Sequence, residues 1–251
     1  MMLIHDPLPG WSRLVLHRPQ ARNALNTALL EQIAQVLDGL AADPGCRAVL
    51  LCGHGGNFAA GADIGEIEGK TAVEGARDPR KAHWAAIRAF PKPLIAAVDG
   101  FALGGGLELA LMADLLVAGQ TARMGLPETN LGLIPGAGGG QRLMARIGPA
   151  RTARMVLTGE IIDAATAFDW GLASHLAEGD ALPHAEALAA KLALRAPLAL
   201  CAAKAALTAG AETPLALQAE RAGFEALLDS HDKAEGIRAF REKRKPEFRG
   251  T

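Results

Sequence analysis

Three segments concentrate glycine where a helix or strand would otherwise carry larger side chains. They are Phe58-Ala59-Ala60-Gly61-Ala62-Asp63-Ile64, Gly104-Gly105-Gly106-Leu107-Glu108, and Leu131-Gly132-Leu133-Ile134-Pro135-Gly136-Ala137-Gly138-Gly139-Gly140. Glycine lets a backbone approach a ligand closely and adopt positive φ. At the start of a helix the N–H groups point outward unpaired, and the helix dipole favours negative charge. Such segments suit close approach to a ligand and favour negative charge. Taken alone, Gly104 to Gly106 reads as a tight turn with close helix packing, because single glycine motifs are weak signals. Two glutamates accompany these segments. Glu108 falls on the first turn after the glycine triplet, and Glu128 closes Met124-Gly125-Leu126-Pro127-Glu128. A lone glutamate is usually a solvated surface residue, and Glu108 could merely complement a helix dipole.

Other chemistries find less support. Gly65-Glu66-Ile67-Glu68-Gly69-Lys70-Thr71 mimics a phosphate-binding loop but is one residue short, and two glutamates sit where phosphates would lie. None of Ser12, Ser174 and Ser230 lies in a nucleophile elbow. The histidines are scattered with no i, i+4 pair, so no metal site is expected. No dinucleotide fingerprint is present, and no cofactor is expected. The 3 cysteines, Cys46, Cys52 and Cys201, sit in apolar surroundings and read as small hydrophobes in a reducing compartment. The formal net charge is -1 and aromatic residues make up 4%. That balance gives no reason to expect a nucleic-acid partner or an anionic membrane. No basic-then-apolar leader opens the chain, and no apolar stretch is long enough to span a bilayer, so the expected location is cytoplasmic.

The elements that must position these residues alternate in the first half. Leu14-Val15-Leu16 reads as a strand. Asn26 or Thr27 can cap a helix that carries Leu29, Ile33, Val36, Leu37 and Leu40 on one face and stops at Asp43-Pro44-Gly45. Ala48 to Leu51 is a buried strand. Asp78-Pro79 opens a helix that ends before Pro91, and Leu94 to Val98 is another buried strand closed by Asp99-Gly100. A short helix runs from the glycine triplet through Met112, and Leu115 to Ala118 returns to strand. Strand, crossover and strand of this length imply parallel pairing. From about Gly148 the texture becomes mainly helical. Pro149, Pro197 and Pro214 look like first-turn prolines, and Gly159, Gly171 and Gly210 like helix ends. The organisation expected is an α/β core over residues 1–195 and a helical C-terminal region over 196–251. The stretch from Arg238 to Arg249 is basic and carries Phe240 and Phe248.

In this order and spacing the segments resemble the crotonase family, also called the enoyl-CoA hydratase/isomerase family. The resemblance runs over nearly the whole chain, from Arg18-Pro19-Gln20-Ala21-Arg22-Asn23-Ala24-Leu25-Asn26 to Glu242-Lys243-Arg244-Lys245-Pro246. It implies an α/β fold, a spiral of ββα units with a helical C-terminal region that drives trimerisation, and trimers that often pair into hexamers. It also implies an acyl-CoA substrate whose enolate-like oxyanion is stabilised by two backbone N–H groups, here those of Ala62 and Gly105. A fixed backbone donor of this kind is typically worth about 3–4 kcal/mol in the transition state.

Family membership alone leaves the reaction open, and the side chains narrow it. Glu108 and Glu128 stand at both positions where resemblance to hydratases demands glutamate. Hydration needs such a pair, since water must lose a proton on its way to the β-carbon and the α-carbon must receive one. Two carboxylates in one apolar site cannot both ionise easily, so one pKa is expected to rise. The expected roles are water activation for Glu108 and protonation of the α-carbon for Glu128. The resemblance further assigns substrate and CoA contacts to Arg22, Ala24, Ala60, Ala62, Asp63, Ile64, Gly104, Pro127, Gly136, Phe240 and Lys243, with Phe240 and Lys243 reaching the adenosine end from a neighbouring subunit. Two departures stand out: Gly65 occupies the place of a lysine near the CoA phosphates, and Gly140 that of a threonine. Within the family, overall similarity is to hydratases of bacterial phenylacetate breakdown, whose acyl chain ends in a carboxylate. The alternatives are an isomerase of the same family, which needs only one of the carboxylates, and a non-catalytic RNA-binding protein that uses the basic C-terminal face. The net charge argues against the last.

Overall fold

The computed structural model describes residues 2–195, 197–208, 222, 224–244 and 246. Nine strands are numbered in chain order: β1 (Leu3–Leu8), β2 (Trp11–Leu16), β3 (Val49–Gly53), β4 (Leu94–Val98), β5 (Phe101–Leu103), β6 (Leu115–Ala118), β7 (Arg123–Gly125), β8 (Ile161–Asp163) and β9 (His175–Leu176). Six of them form a sheet in the order β1-β2-β3-β4-β6-β9, and the other three form a smaller sheet in the order β5-β7-β8. Within the large sheet only the β1–β2 hairpin is antiparallel.

The period-2 geometry of a strand divides these apolar runs between two cores. Val49 and Leu51 of β3, with Leu94, Ala96 and Val98 of β4, face one side. They meet Leu29, Leu30, Ile33 and Leu37 of helix α1 (Thr27–Ala42) and Trp84 and Ile87 of helix α3 (Arg80–Arg88). Leu50, Cys52, Ile95, Ala97 and Val117 face the other side. There they meet helix α7 (Ala181–Ala193), whose Ala181, Ala185, Ala189 and Ala193 form a stripe at helical spacing. A stripe of small residues lets the helix lie close to the sheet. Truncating one of the fully buried leucines, Leu51→Ala for example, is expected to cost about 2–5 kcal/mol.

The ends of the elements are fastened by named side chains. Asn26 accepts from the N–H of Leu29 at 2.9 Å and so caps α1. At the other end the buried ammonium of Lys92 donates to the carbonyls of Leu40 and Asp43 at 2.6 and 2.7 Å, which satisfies carbonyls that the helix leaves unpaired. Glu66 accepts from both the N–H and the hydroxyl of Thr27, at 2.8 and 2.7 Å, and ties the loop after Asp63 to the start of α1.

Further helices among the described residues are α2 (Ala72–Ala76), α4 (Gly105–Ala110), α5 (Gly139–Thr158), α6 (Ala164–Asp169), α8 (Pro197–Thr208) and α9 (His231–Arg241). Pro149 does begin a helical segment, since Gly148 at φ 76 and ψ 172 breaks α5 just before it. The second half is not helical throughout: β8 and β9 lie within it. Their strands have 3 and 2 residues, too short to show any periodicity. Gly210, Pro214 and Phe248 lie outside the described residues. Among the described residues no helix is long and apolar enough to cross a membrane.

Candidate active site

The smaller sheet builds the floor of the site. β5 and β7 pair in parallel with Leu103 opposite Gly125, and the N–H of Gly104 continues the ladder to the carbonyl of Gly125 at 2.9 Å. This register sets the glycine triplet beside Leu126, Pro127 and Glu128. Gly104 turns the chain from β5 into α4 with φ 49 and ψ -127, a conformation open in practice to glycine alone. A Cβ there would also lie 3.0 Å from Oε1 of Glu128. Gly106 is required for a different reason, because a Cβ on it would lie 2.1 Å from the carbonyl oxygen of Ala59. Substitution at either position therefore disturbs the site.

The first glycine-bearing segment lies against the same sheet. Ala59 bridges to Ala102, and Ala62 bridges to Leu25. The N–H of Leu25 donates to Gly61, and that of Asp63 donates to Leu25. The N–H of Ala62 takes no part in that bridge, and its nitrogen lies 3.4 Å from the ideal Cβ position of Gly105. Among the described residues neither Ala62 nor Gly105 donates its N–H to another backbone group. Two fixed donors thus stand side by side, with Gly105 at the first position of α4.

Glu108 is buried one turn along α4. Its Oε1 accepts from the N–H groups of Ala137 at 2.7 Å and Gly139 at 2.9 Å. Those donors belong to the third glycine-rich segment, at the start of α5, where the helix dipole stabilises negative charge. The third segment therefore serves Glu108. Glu128 comes from the 3-10 turn that follows β7.

These groups line one cavity of about 420 Å³, whose wall is mostly apolar. Of the residues expected from sequence, Arg22, Ala60, Ala62, Ile64, Gly104, Gly105, Glu108, Pro127, Glu128, Gly136 and Phe240 line it. Ala24, Asp63 and Lys243 do not. Ala24 and Asp63 act behind the wall: Arg18 pairs with Asp63 at 2.9 Å and also donates to the carbonyl of Ala24. Lys243 is exposed just beyond α9, at φ 53. Phe240 reaches the cavity from α9 of the same chain, and Phe224 packs where a Cβ on Gly136 would stand. Of the lining residues Arg22 and Phe240 are exposed, whereas Leu25, Leu30 and Trp84 are buried.

The sequence reading missed two polar groups in this wall, the exposed Asn130 and the buried Arg80, which is 5% exposed. Arg80 donates through Nε and Nη2 to Oδ2 of Asp78 at 2.9 and 2.6 Å, and Lys70 donates to the same oxygen at 2.6 Å. Burial raises the Asp78 pKa, but the hydrogen bonds from Arg80 and Lys70 outweigh it and hold the carboxyl well below the usual carboxylate range. A signal was present. Arg80, Trp84 and Ile87 recur at helical spacing, so an arginine stands on the apolar face of α3. Burial also pushes the Cys52 thiol up to about 12, as suits a core residue. Among the described residues no group of three or more His, Cys, Asp or Glu side chains is arranged to hold a metal.

Residues 12–251 match the family model described as enoyl-CoA hydratase/isomerase. The chain is 48% identical over 240 residues to a 2,3-dehydroadipyl-CoA hydratase of Escherichia coli (strain K12), with 94% of each chain covered. An enoyl-CoA hydratase/isomerase from Pseudoalteromonas atlantica T6c superposes with a TM-score of 0.91 at 30% identity, covering 99% of this chain and 100% of that one. An enoyl-CoA hydratase from Mycobacterium avium subsp. paratuberculosis K-10 gives 0.88 at 32% identity, covering 99% of both chains. The α/β crotonase fold expected from the sequence is the fold of these relatives.

Proposed function

The chain belongs to the enoyl-CoA hydratase/isomerase family, and from that premise we propose that it adds water across the 2,3 double bond of a 2-enoyl-CoA to give a 3-hydroxyacyl-CoA. The observation that carries the proposal is the convergence of two carboxylates, Glu108 and Glu128, with two adjacent backbone donors, Ala62 and Gly105, in one apolar cavity. An isomerase needs only one such carboxylate.

The chemistry divides among these groups. The thioester oxygen sits between the N–H groups of Ala62 and Gly105, which withdraw electron density from the double bond. Glu108, held at the start of α5, takes a proton from water as its oxygen bonds to C3. The electrons of the double bond move onto the thioester oxygen as an enolate, where the two donors stabilise it without reorganising. Glu128 then delivers a proton to C2 and the enolate collapses. Transfer of the proton on Glu108 to Glu128 through solvent restores both groups. No metal or redox step enters, and no cofactor beyond the CoA carried by the substrate is required.

Three further readings belong to the same proposal. The assembly is a homotrimer or a dimer of trimers. The location is cytoplasmic, in keeping with three free cysteines. The pathway is breakdown of acyl chains by β-oxidation chemistry, including the phenylacetate route that a dehydroadipyl thioester implies. Steady-state kinetics on 2-enoyl-CoAs and on a 3-enoyl-CoA test the reaction. Hydration of the 2-enoyl substrates should dominate. Much faster double-bond migration in the 3-enoyl substrate would replace the hydratase with an isomerase.

A further inference from the structure

We infer that Arg80 is the receptor for a carboxylate at the far end of the acyl chain, so that the cavity selects 2-enoyl thioesters of CoA that end in an anion. The inference rests on the hydratase reading for its substrate, and on the following geometry for its residue.

Arg80 lies in the cavity wall beside Leu30 and Trp84, among residues at most 8% exposed. A cation in such a wall is costly unless an anion meets it. Asp78 meets it only in part. Oδ2 of Asp78 already accepts from Arg80 Nε, Arg80 Nη2 and Lys70 Nζ, and Oδ1 accepts from the backbone N–H of Arg80. Two cations therefore share one carboxylate. The neighbouring Lys81 pairs with Glu225. A guanidinium carries five N–H donors. Asp78 takes one from Nε and one from Nη2. Among the described residues Nη1 has no hydrogen-bond partner. The Nη1/Nη2 edge can still take a second carboxylate end-on through two parallel hydrogen bonds, and such bidentate pairs are strong.

Asp78 and Lys70 would then orient the fork and leave one positive charge in excess for the ligand. An alkyl tail of the same length would leave those donors without acceptors in an apolar wall. A site built to hydrogen-bond a polar group rejects the analogue that lacks it. Arg22, the other arginine of the cavity, is exposed and lies 5.7 Å from the Phe101 ring, so its charge is already solvated.

The test compares kcat/KM for 2,3-dehydroadipyl-CoA and 2-hexenoyl-CoA, which share chain length and differ in the terminal carboxylate. Wild type should prefer the first. In Arg80→Met that ratio should fall by about 10- to 100-fold, the scale of a lost charged hydrogen bond. A ratio cancels losses common to both substrates. If Arg80→Met does not fold, Asp78→Asn/Arg80→Gln keeps a neutral hydrogen-bonded pair and gives the same readout. Calorimetric binding of saturated adipyl-CoA against hexanoyl-CoA separates this inference from the hydratase reading, since it needs no turnover. A protein that hydrates neither enoyl substrate but binds adipyl-CoA more tightly, and loses that difference in the variant, retains the anion site and fails as a hydratase. A wild type with no preference for the carboxylate in either assay, or a folded variant with an unchanged ratio, overturns the inference.

Discussion

The N–H of Gly139 donates to Oε1 of Glu108 at 2.9 Å, and a Cβ placed on Gly139 would lie 2.8 Å from Cγ of that same glutamate. Position 139 therefore tolerates no side chain without moving Glu108. Gly139→Ala is expected to lower kcat for hydration by about 10²-fold, as misplacing a reacting group does. Circular dichroism should remain that of wild type. A folded variant with normal kcat would show that Glu108 needs no such positioning.

Glu108 and Glu128 should act as a unit. General acid–base groups typically contribute about 10²–10⁴-fold each. Glu108→Gln and Glu128→Gln should each remove most hydration of a 2-enoyl-CoA, and the double variant should be little worse than the poorer single, as in other coupled sites. Glutamine preserves shape but cannot exchange the proton. KM should change far less than kcat. Intact hydration in Glu108→Gln would reject the two-carboxylate mechanism.

Acid should weaken the fold through Asp78. Its folded pKa lies below its unfolded value, near 3.9 for a free aspartate. The contribution to stability is therefore complete above the unfolded pKa and is lost as pH falls through the folded one. Asp78→Asn is expected to cost about 3 kcal/mol at neutral pH, the scale for breaking a buried ion pair. The gap in Tm between the two proteins should be constant above about pH 5 and narrow below about pH 4. A gap that stays constant to pH 2 would remove Asp78 from the acid transition.

The proposed trimer has a surface to account for it. Leu194, Leu198 and Leu207, in and just before α8, are 85%, 84% and 80% exposed in the single chain. Large apolar side chains left this exposed are what an interface covers. Light scattering at micromolar concentration should report a trimer or hexamer, and Leu198→Asp with Leu207→Asp should shift it to smaller species. A stable wild-type monomer would reject the assembly.

Much of this was legible in the residues alone, for local reasons. The strand at Leu94 to Val98, a helix cap at Asn26 or Thr27 and the helix stop at Asp43-Pro44-Gly45 follow from periodicity and turn chemistry, which act over a few neighbours; the structure makes Asn26 the cap. The parallel order of β2, β3, β4 and β6 follows from crossover length. The strands of the smaller sheet and β9 were not legible. Two or three residues carry no period, and the strands of the smaller sheet exist because β7 meets β5 and β8 from distant parts of the chain, Arg123 opposite Phe101 and Asp163.

The site divides along the same line. The clustered glycines and the places of Glu108 and Glu128 beside them mark the segments that matter, through their resemblance to the family pattern. Which segment serves which group was decided in three dimensions. The third glycine-rich run holds Glu108, and Gly104 makes room for Glu128, because backbone N–H groups and missing Cβ atoms act only on what lies against them. Arg80 shows the limit most sharply. In sequence it is one charged residue of 26 lysines and arginines, in the first turn of an amphipathic helix. Its partner Asp78 stands two residues away in the chain, but only tertiary packing buries Arg80 against the cavity, because which face of a helix meets a cavity is set by what the fold lays against it.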